Sequence, residues 1–203
     1  MVVTQLEELE KSKFKVYIDY NYAFLLYRKD IEHYEVKEGC EIADYVYDKI
    51  IEDTVFRRAK QKALAVLKFK DRTEHELRGK LSDTGYPSEV IERTISYVKE
   101  YGYLSDERYI GAFVRDRMKV KSRRVIKTLL LQKGADKELV AQIMQEEYEQ
   151  YDEEEDIEMQ AIIKAVSKKT KNKDELTVQD KQKMIASLYR KGFELDKIKK
   201  VIL

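Results

Sequence analysis

Eight basic side chains crowd the stretch from Arg115 to Lys133: Arg115, Arg117, Lys119, Lys121, Arg123, Arg124, Lys127 and Lys133, opposed only by Asp116. Cations at this density can neutralise nucleic-acid phosphates or meet an acidic protein surface. From Glu146 to Glu158 the sign reverses, with nine acids and no base. Segregated charge suits a protein that touches a polyanion with one part and something else with another. The plainer alternative is that both runs are solvated helix faces and linkers. Across the chain, 40 basic and 39 acidic residues leave a formal charge of +1, which argues against a histone-like coat.

Covalent and metal chemistry have less to stand on. His33 and His75 lie far apart, and neither has a Cys or His partner at metal-ligand spacing. His33 reads as flanking the turn before Val36. Cys40 follows Gly39 with no Lys or Arg beside it, so a small, partly buried thiol is expected, not a nucleophile. No Gly-rich phosphate loop ends in Lys-Ser or Lys-Thr, and no Gly-x-Ser-x-Gly elbow is present. The expectation is a chain without catalysis, cofactor or metal.

A lone cysteine excludes an internal disulfide and points to a reducing, cytoplasmic setting. The best apolar run, Tyr22 to Tyr27, is too short to span a bilayer, and Met1 to Lys13 lacks the centre of a signal peptide. Tyrosine is abundant, with 15 copies against no tryptophan. Tyr97, Tyr101, Tyr103 and Tyr109 read as the amphipathic edges of a core. Base stacking would want aromatics interleaved with Arg and Lys, and Arg115 to Arg124 has only Tyr109 and Phe113 nearby.

The elements that must position these residues are mostly helical. Charged residues make up 39% of a chain with one proline and seven glycines; few breakers and many Lys, Glu, Leu and Ile rule out a β-sandwich. The start differs. Phe14, Val16 and Ile18 alternate with Lys15, Tyr17 and Asp19, and after a turn at Tyr20-Asn21 comes Tyr22 to Tyr27, a hairpin signal to which Val2 to Leu9 could add a strand. Asp30 to Gly39 reads as a short helix or turn, and a helical pattern begins at Ile42.

Beyond Thr54 the apolar period becomes helical, with Ala59, Ala63, Leu64, Val66 and Leu67 on one stripe. Thr73 and Glu76 are spaced as a capping box, and Pro87 opens the next helix. The punctuation then recurs around Gly85, Gly134 and Gly192. Eight residues before each stand Leu77, Ile126 and Met184, and four before stand Leu81, Leu130 and Leu188. Six residues after stand Ile91, Val140 and Ile198, and ten after stand Ile95, Met144 and Ile202. A glycine that ends a helix left-handed, flanked at those distances by apolar anchors, packs two short helices together. A further helix precedes each pair: Asp106 to Met118 in the second copy, Asp156 to Lys168 in the third.

The domains expected are a β-rich head (1–53) and three-helix repeats at 54–104, 105–152 and 153–203. The third looks clipped, since Leu203 follows Gly192 by only eleven residues. Extra length between the second and third glycines falls in Lys168 to Asp180, a polar segment read as a loop. A helix-turn-helix reader would place its second helix, Asp136 to Tyr151, on bases, but that helix turns acidic; the basic layout suits backbone contact.

Several runs carry a resemblance. Ala63-Leu64 to Leu67, Arg72-Thr73-Glu74, Glu76-Leu77, Leu81 and Gly85 resemble the first repeat of the RecX family, the bacterial regulators of the RecA recombinase. Gly102-Tyr103-Leu104-Ser105-Asp106-Glu107-Arg108-Tyr109 with Ala112-Phe113-Val114 and Arg117 is similar to that family's most distinctive signature, and Ser122-Arg123-Arg124 with Ile126, Leu130, Lys133 and Gly134 resembles its second repeat. Ala135 departs from the pattern, where the family often has a larger aliphatic residue. The resemblance implies an elongated, curved body of tandem three-helix repeats, acting in DNA repair and the SOS response. Such a protein binds, without enzymatic activity, in the groove of the RecA–single-stranded-DNA filament and suppresses ATP hydrolysis, strand exchange and filament growth. The contact residues expected are Arg115, Arg117, Lys119, Lys121, Arg123, Arg124 and Lys127, with Arg72, Arg78 and Arg108 in support, on a monomer that touches the backbone of single-stranded or duplex DNA. A general DNA-binding helical protein and a protein–protein scaffold remain as alternatives.

Overall fold

The computed structural model describes residues 1–9, 12–150, 156–170 and 176–203. Asp152, Glu153, Glu154 and Glu155 of the acidic run, and 171–175 of the polar join, lie outside them. The chain divides into two units, Met1–Ser105 and Asp106–Leu203.

In the first unit, strands β1 (Val3–Leu9), β2 (Lys13–Ile18) and β3 (Asn21–Tyr27) form one antiparallel sheet in that order. Leu6 pairs with Val16 and Val16 with Phe24. Alternation then buries Val3, Val16, Ile18, Phe24 and Leu26 on one face. The hairpin turn falls one residue earlier than its sequence suggests. Ile18 pairs with Asn21, leaving Asp19 and Tyr20 as a two-residue loop with φ of 47° and 66°. That left-handed pair matches the twist of the flanking strands, and the Asn21 side chain donates to the Asp19 carbonyl at 2.9 Å.

Helix α1 (Arg28–His33) ends on His33, whose ring lies 4.7 Å from that of Tyr34. Cys40 is exposed, not partly buried as expected. The reason is backbone pairing: Gly39 donates to Val3 at 2.8 Å and Val3 donates to the Cys40 carbonyl at 2.9 Å, so the segment runs along β1 as an edge. Helix α2 (Asp44–Lys49) continues through a wider, π-helical stretch, Ile50–Phe56, into α3 (Arg57–Phe69). Ile50 and Val55 there join the sheet residues, Ala59 and Val90 in one apolar cluster, so head and first repeat share a core.

Helices α4 (Glu74–Thr84) and α5 (Ser88–Glu100) complete the first repeat around Ala63, Leu77, Leu81, Ile91 and Ile95. The capping box forms: the Thr73 hydroxyl accepts from the Glu76 amide at 3.2 Å, and the Glu76 carboxylate accepts from the Thr73 amide at 3.3 Å.

The second unit holds α6 (Asp106–Arg117), α7 (Arg123–Gln132) and α8 (Lys137–Glu149), then α9 (Ile157–Ser167), α10 (Val178–Arg190) and α11 (Leu195–Ile202). Each trio has its own apolar cluster, that of α6–α8 also taking in Ile157 at the start of α9. Val178 to Asp180 belongs to α10 and not to a loop, because Thr177 caps that helix by accepting from the Asp180 amide at 3.2 Å.

The three glycines close their helices alike. Gly85, Gly134 and Gly192 have φ of 92°, 72° and 80°. The residue after each donates to the carbonyl five back: Tyr86 to Leu81, Ala135 to Leu130 and Phe193 to Leu188, at 3.3, 3.2 and 3.4 Å. This is the 6→1 closure of a left-handed helix end. All twelve aligned anchors, four in each copy, are no more than 8% exposed.

Candidate nucleic-acid interface

The basic segment spans the end of α6, a short loop and the start of α7. Two buried residues pin that loop, Met118 at its start and Ser122 at its end. Ser122 caps α7 by accepting from the Val125 amide at 3.3 Å, and its hydroxyl donates to the Lys191 carbonyl at 2.8 Å. Between these anchors Lys119, Val120 and Lys121 stand exposed.

The seven predicted contact residues divide into two groups. Arg115 forms an ion pair with Glu147. The Arg117 guanidinium lies 3.8 Å over the Phe113 ring and 3.5 Å from Asp116. Arg123 lies 4.6 Å over Tyr148 while its backbone amide donates to Glu158 at 3.2 Å. Lys119, Lys121, Arg124 and Lys127 have no described carboxylate within ion-pair distance. Those four cations, with Arg123 over the Tyr148 ring, are the side chains left to meet an external anion.

Of the three secondary residues, Arg78 is committed to structure. Its Nε lies 2.7 Å from Glu74 and its other nitrogens engage Glu92, which raises its pKa further, the Glu92 hydrogen bonds contributing most. Arg72 stands 3.8 Å from Glu76, one helical turn on. Arg108 is exposed on the first turn of α6.

The acidic run is partly internal, which the sequence did not suggest. Glu147 is 6% exposed and Glu158 3%. A signal was available: Glu147 continues the apolar spacing of Val140, Ile143 and Met144, and a carboxylate on such a stripe calls for a buried cation. Gly111 makes room for it, since a Cβ there would come 2.8 Å from the Glu147 Oε1. Glu158 and Asp156 share Lys197, at 3.2 and 3.0 Å. Burial works to raise the Asp156 carboxyl, but Lys197 and the backbone amides of Met159 and Glu158 outweigh it and hold it below its ordinary value. Burial also pushes the Tyr148 hydroxyl up to about 12.

Of the four tyrosines read as core edges, Tyr97 and Tyr109 are half-buried against their apolar clusters as expected, whereas Tyr101 and Tyr103 are exposed. Tyr101 is 61% and Tyr103 51% accessible, and Tyr101 rests 4.7 Å from the half-buried Tyr97. They follow the end of α5, where Gly102 turns left-handed with φ of 69°. Among the described residues no group of three or more His, Cys, Asp or Glu could hold a metal ion, and no helix is long and apolar enough to cross a membrane.

Comparison with known proteins bears on this arrangement. Family models for the first, second and third three-helix domains of RecX match residues 59–97, 105–144 and 156–202. The regulatory protein RecX of Caldanaerobacter subterraneus subsp. tengcongensis is 32% identical over all of this chain and 98% of its own. A RecX from Clostridium botulinum strain Eklund 17B is 29% identical over 98% of this chain and 94% of its own. A crystal structure of regulatory protein RecX superposes with a TM-score of 0.60 at 20% identity, covering 98% of both chains. That of RecX from Lactobacillus salivarius gives 0.62 at 23%, over 72% of this chain and 94% of its own. These two share the fold.

Proposed function

This chain belongs to the RecX family of regulatory proteins, and from that premise we propose that it restrains the RecA recombinase without chemistry of its own. It lies in the groove of the RecA–single-stranded-DNA filament and suppresses ATP hydrolysis, strand exchange and filament growth. The observation that carries the reading is the likeness over the whole length to proteins named as RecX regulators.

The geometry supports a division of labour within the basic segment. Arg115 and Arg117 anchor the loop against Glu147 and Phe113, while Lys119, Lys121, Arg123, Arg124 and Lys127 contact backbone phosphate. Contact of this kind positions a protein without reading sequence, which is consistent with a regulator that must act on any filament.

Co-sedimentation tests the proposal. RecA filaments assembled on single-stranded DNA with a slowly hydrolysed ATP analogue should carry the chain into the pellet, in excess of what the same DNA carries alone. Equal recovery with bare DNA would leave a general DNA-binding protein; recovery with neither would leave a scaffold for other partners.

A further inference from the structure

A depression of about 160 Å³ in the second unit is lined by four lysines: Lys164, Lys168, Lys169 and Lys191. Val120 from the basic loop and Ala161 and Ala165 of α9 complete its lining. No acid is among the lining residues. The charge comes from two helix ends. Lys164 sits within α9, Lys168 and Lys169 follow that helix, and Lys191 ends α10 just before the left-handed Gly192.

The Ser122 hydrogen bond to the Lys191 carbonyl fixes the loop against this wall. Arg124 is held close too, its Cβ 3.6 Å from where a Cβ on Gly192 would stand. On the far side, the Lys169 ammonium donates to the Ser187 hydroxyl at 2.9 Å. Lys119 and Lys121, the chain neighbours of Val120, are exposed.

The negative carbonyl ends of α9 and α10 favour nearby lysines, which accounts for Lys168, Lys169 and Lys191 taken singly. The same dipole reaches Lys164 in the last turn of α9, but it does not account for a lining with no acid, in which Lys164 and Lys168 repel each other four residues apart. Four lysines lining one small concavity, with no acid in the lining, suit a compact anion with several oxygens.

We propose that this depression binds a phosphate group of single-stranded nucleic acid, extending the contact surface of the basic loop into the third repeat. The proposal rests on the reading that the chain meets nucleic acid, and it adds Lys164, Lys168 and Lys191 to the residues that do so. Phosphate oxygens could also come from a free anion, so the two sources are separated in the test.

The test uses the full chain without RecA. Binding to a fluorescent single-stranded oligonucleotide is measured across salt concentrations for the parent, Lys164→Gln with Lys168→Gln, and Lys164→Arg with Lys168→Arg. Each lost phosphate contact on a single strand lowers the slope of log affinity against log salt by about 0.7. The glutamine pair should therefore bind more weakly with a slope smaller by about 0.7, and the arginine pair should match the parent. In parallel, melting is followed with pyrophosphate against chloride at equal ionic strength. Stabilisation by pyrophosphate that the glutamine pair loses, with no oligonucleotide binding by the parent, would keep the anion site and overturn the nucleic-acid reading. Unchanged slope and affinity in the glutamine pair would overturn the site, as would a parent indifferent to both ligands.

Discussion

The Ser122 hydroxyl and the Lys191 carbonyl, 69 residues apart in sequence, meet at 2.8 Å. The same hydroxyl oxygen caps α7, so one side chain sets both the start of that helix and the approach of the turn at Gly192. A Cβ on Gly192 would fall 2.8 Å from the Ser122 oxygen and 3.3 Å from Val125, and its φ of 80° disfavours any side chain.

Gly192→Ala should therefore destabilise the full chain by roughly 1–3 kcal/mol, from a left-handed conformation and a displaced contact. Gly79 lies inside α4, where an added Cβ would meet nothing within 4 Å, and should behave oppositely. Gly79→Ala should stabilise by about 0.5–1 kcal/mol through helix propensity. Urea denaturation of the two variants beside the parent checks both signs.

The pair Arg115–Glu147 makes a second prediction. Arg115→Met strands a buried carboxylate beside Gly111, and should cost about 1–3 kcal/mol in urea denaturation, the penalty for an unsatisfied buried group. Converting both residues, Arg115→Met with Glu147→Met, should recover much of that loss. A single variant as stable as the parent would place Arg115 among the free cations.

Asp156 and Lys197 set a pH dependence. The folded Asp156 carboxyl lies below its ordinary 3.8, so its stabilising contribution is complete above that value and disappears as pH falls through the lower folded one. Lys197 is shifted upward from 10.5: burial opposes the shift, and its bonds to Asp156 and Glu158 overcome that. Its contribution is complete below 10.5 and is lost at still higher pH. Urea midpoints measured from pH 5 downward should fall less steeply in Asp156→Asn than in the parent. Equal slopes would remove Asp156 from the acid transition.

Leu130 and Leu131 are neighbours with opposite environments, 0% and 38% exposed. Leu130→Ala should cost about 2–5 kcal/mol, as for a buried aliphatic anchor, while Leu131→Ala should stay within about 1 kcal/mol. Thermal melts of both variants decide whether the aligned apolar positions are the core of the repeat.

The repeat architecture was legible because its signals are local. A glycine that closes a helix left-handed, and apolar residues four before and six after it, act within about twenty positions, so Leu81, Leu130 and Leu188 could be aligned without tertiary information. Thr73 and Glu76 were legible for the same reason. The misplaced turn at Asp19-Tyr20 shows the limit, since several polar residues there tolerate positive φ and only strand pairing chooses between registers. Cys40 was misjudged because its exposure follows from pairing with Val3 across 37 positions. Within the candidate site, the cluster of cations was plain, but its division was not. Whether Arg115 is free depends on Glu147, 32 residues away and on another helix. The lysines of the depression come from the ends of α9 and α10, two segments that only folding brings together.

RecA's ATPase on single-stranded DNA, titrated with the parent chain and with Lys121→Glu combined with Arg124→Glu, tests the central claim most directly. Both altered residues are exposed and without a described acid partner, so the variant should fold and melt like the parent. The account predicts that the parent suppresses hydrolysis to a low plateau, and that the variant needs a markedly higher concentration to do so, the gap narrowing as salt rises. A hydrolysis rate unchanged by saturating, folded parent chain would contradict it.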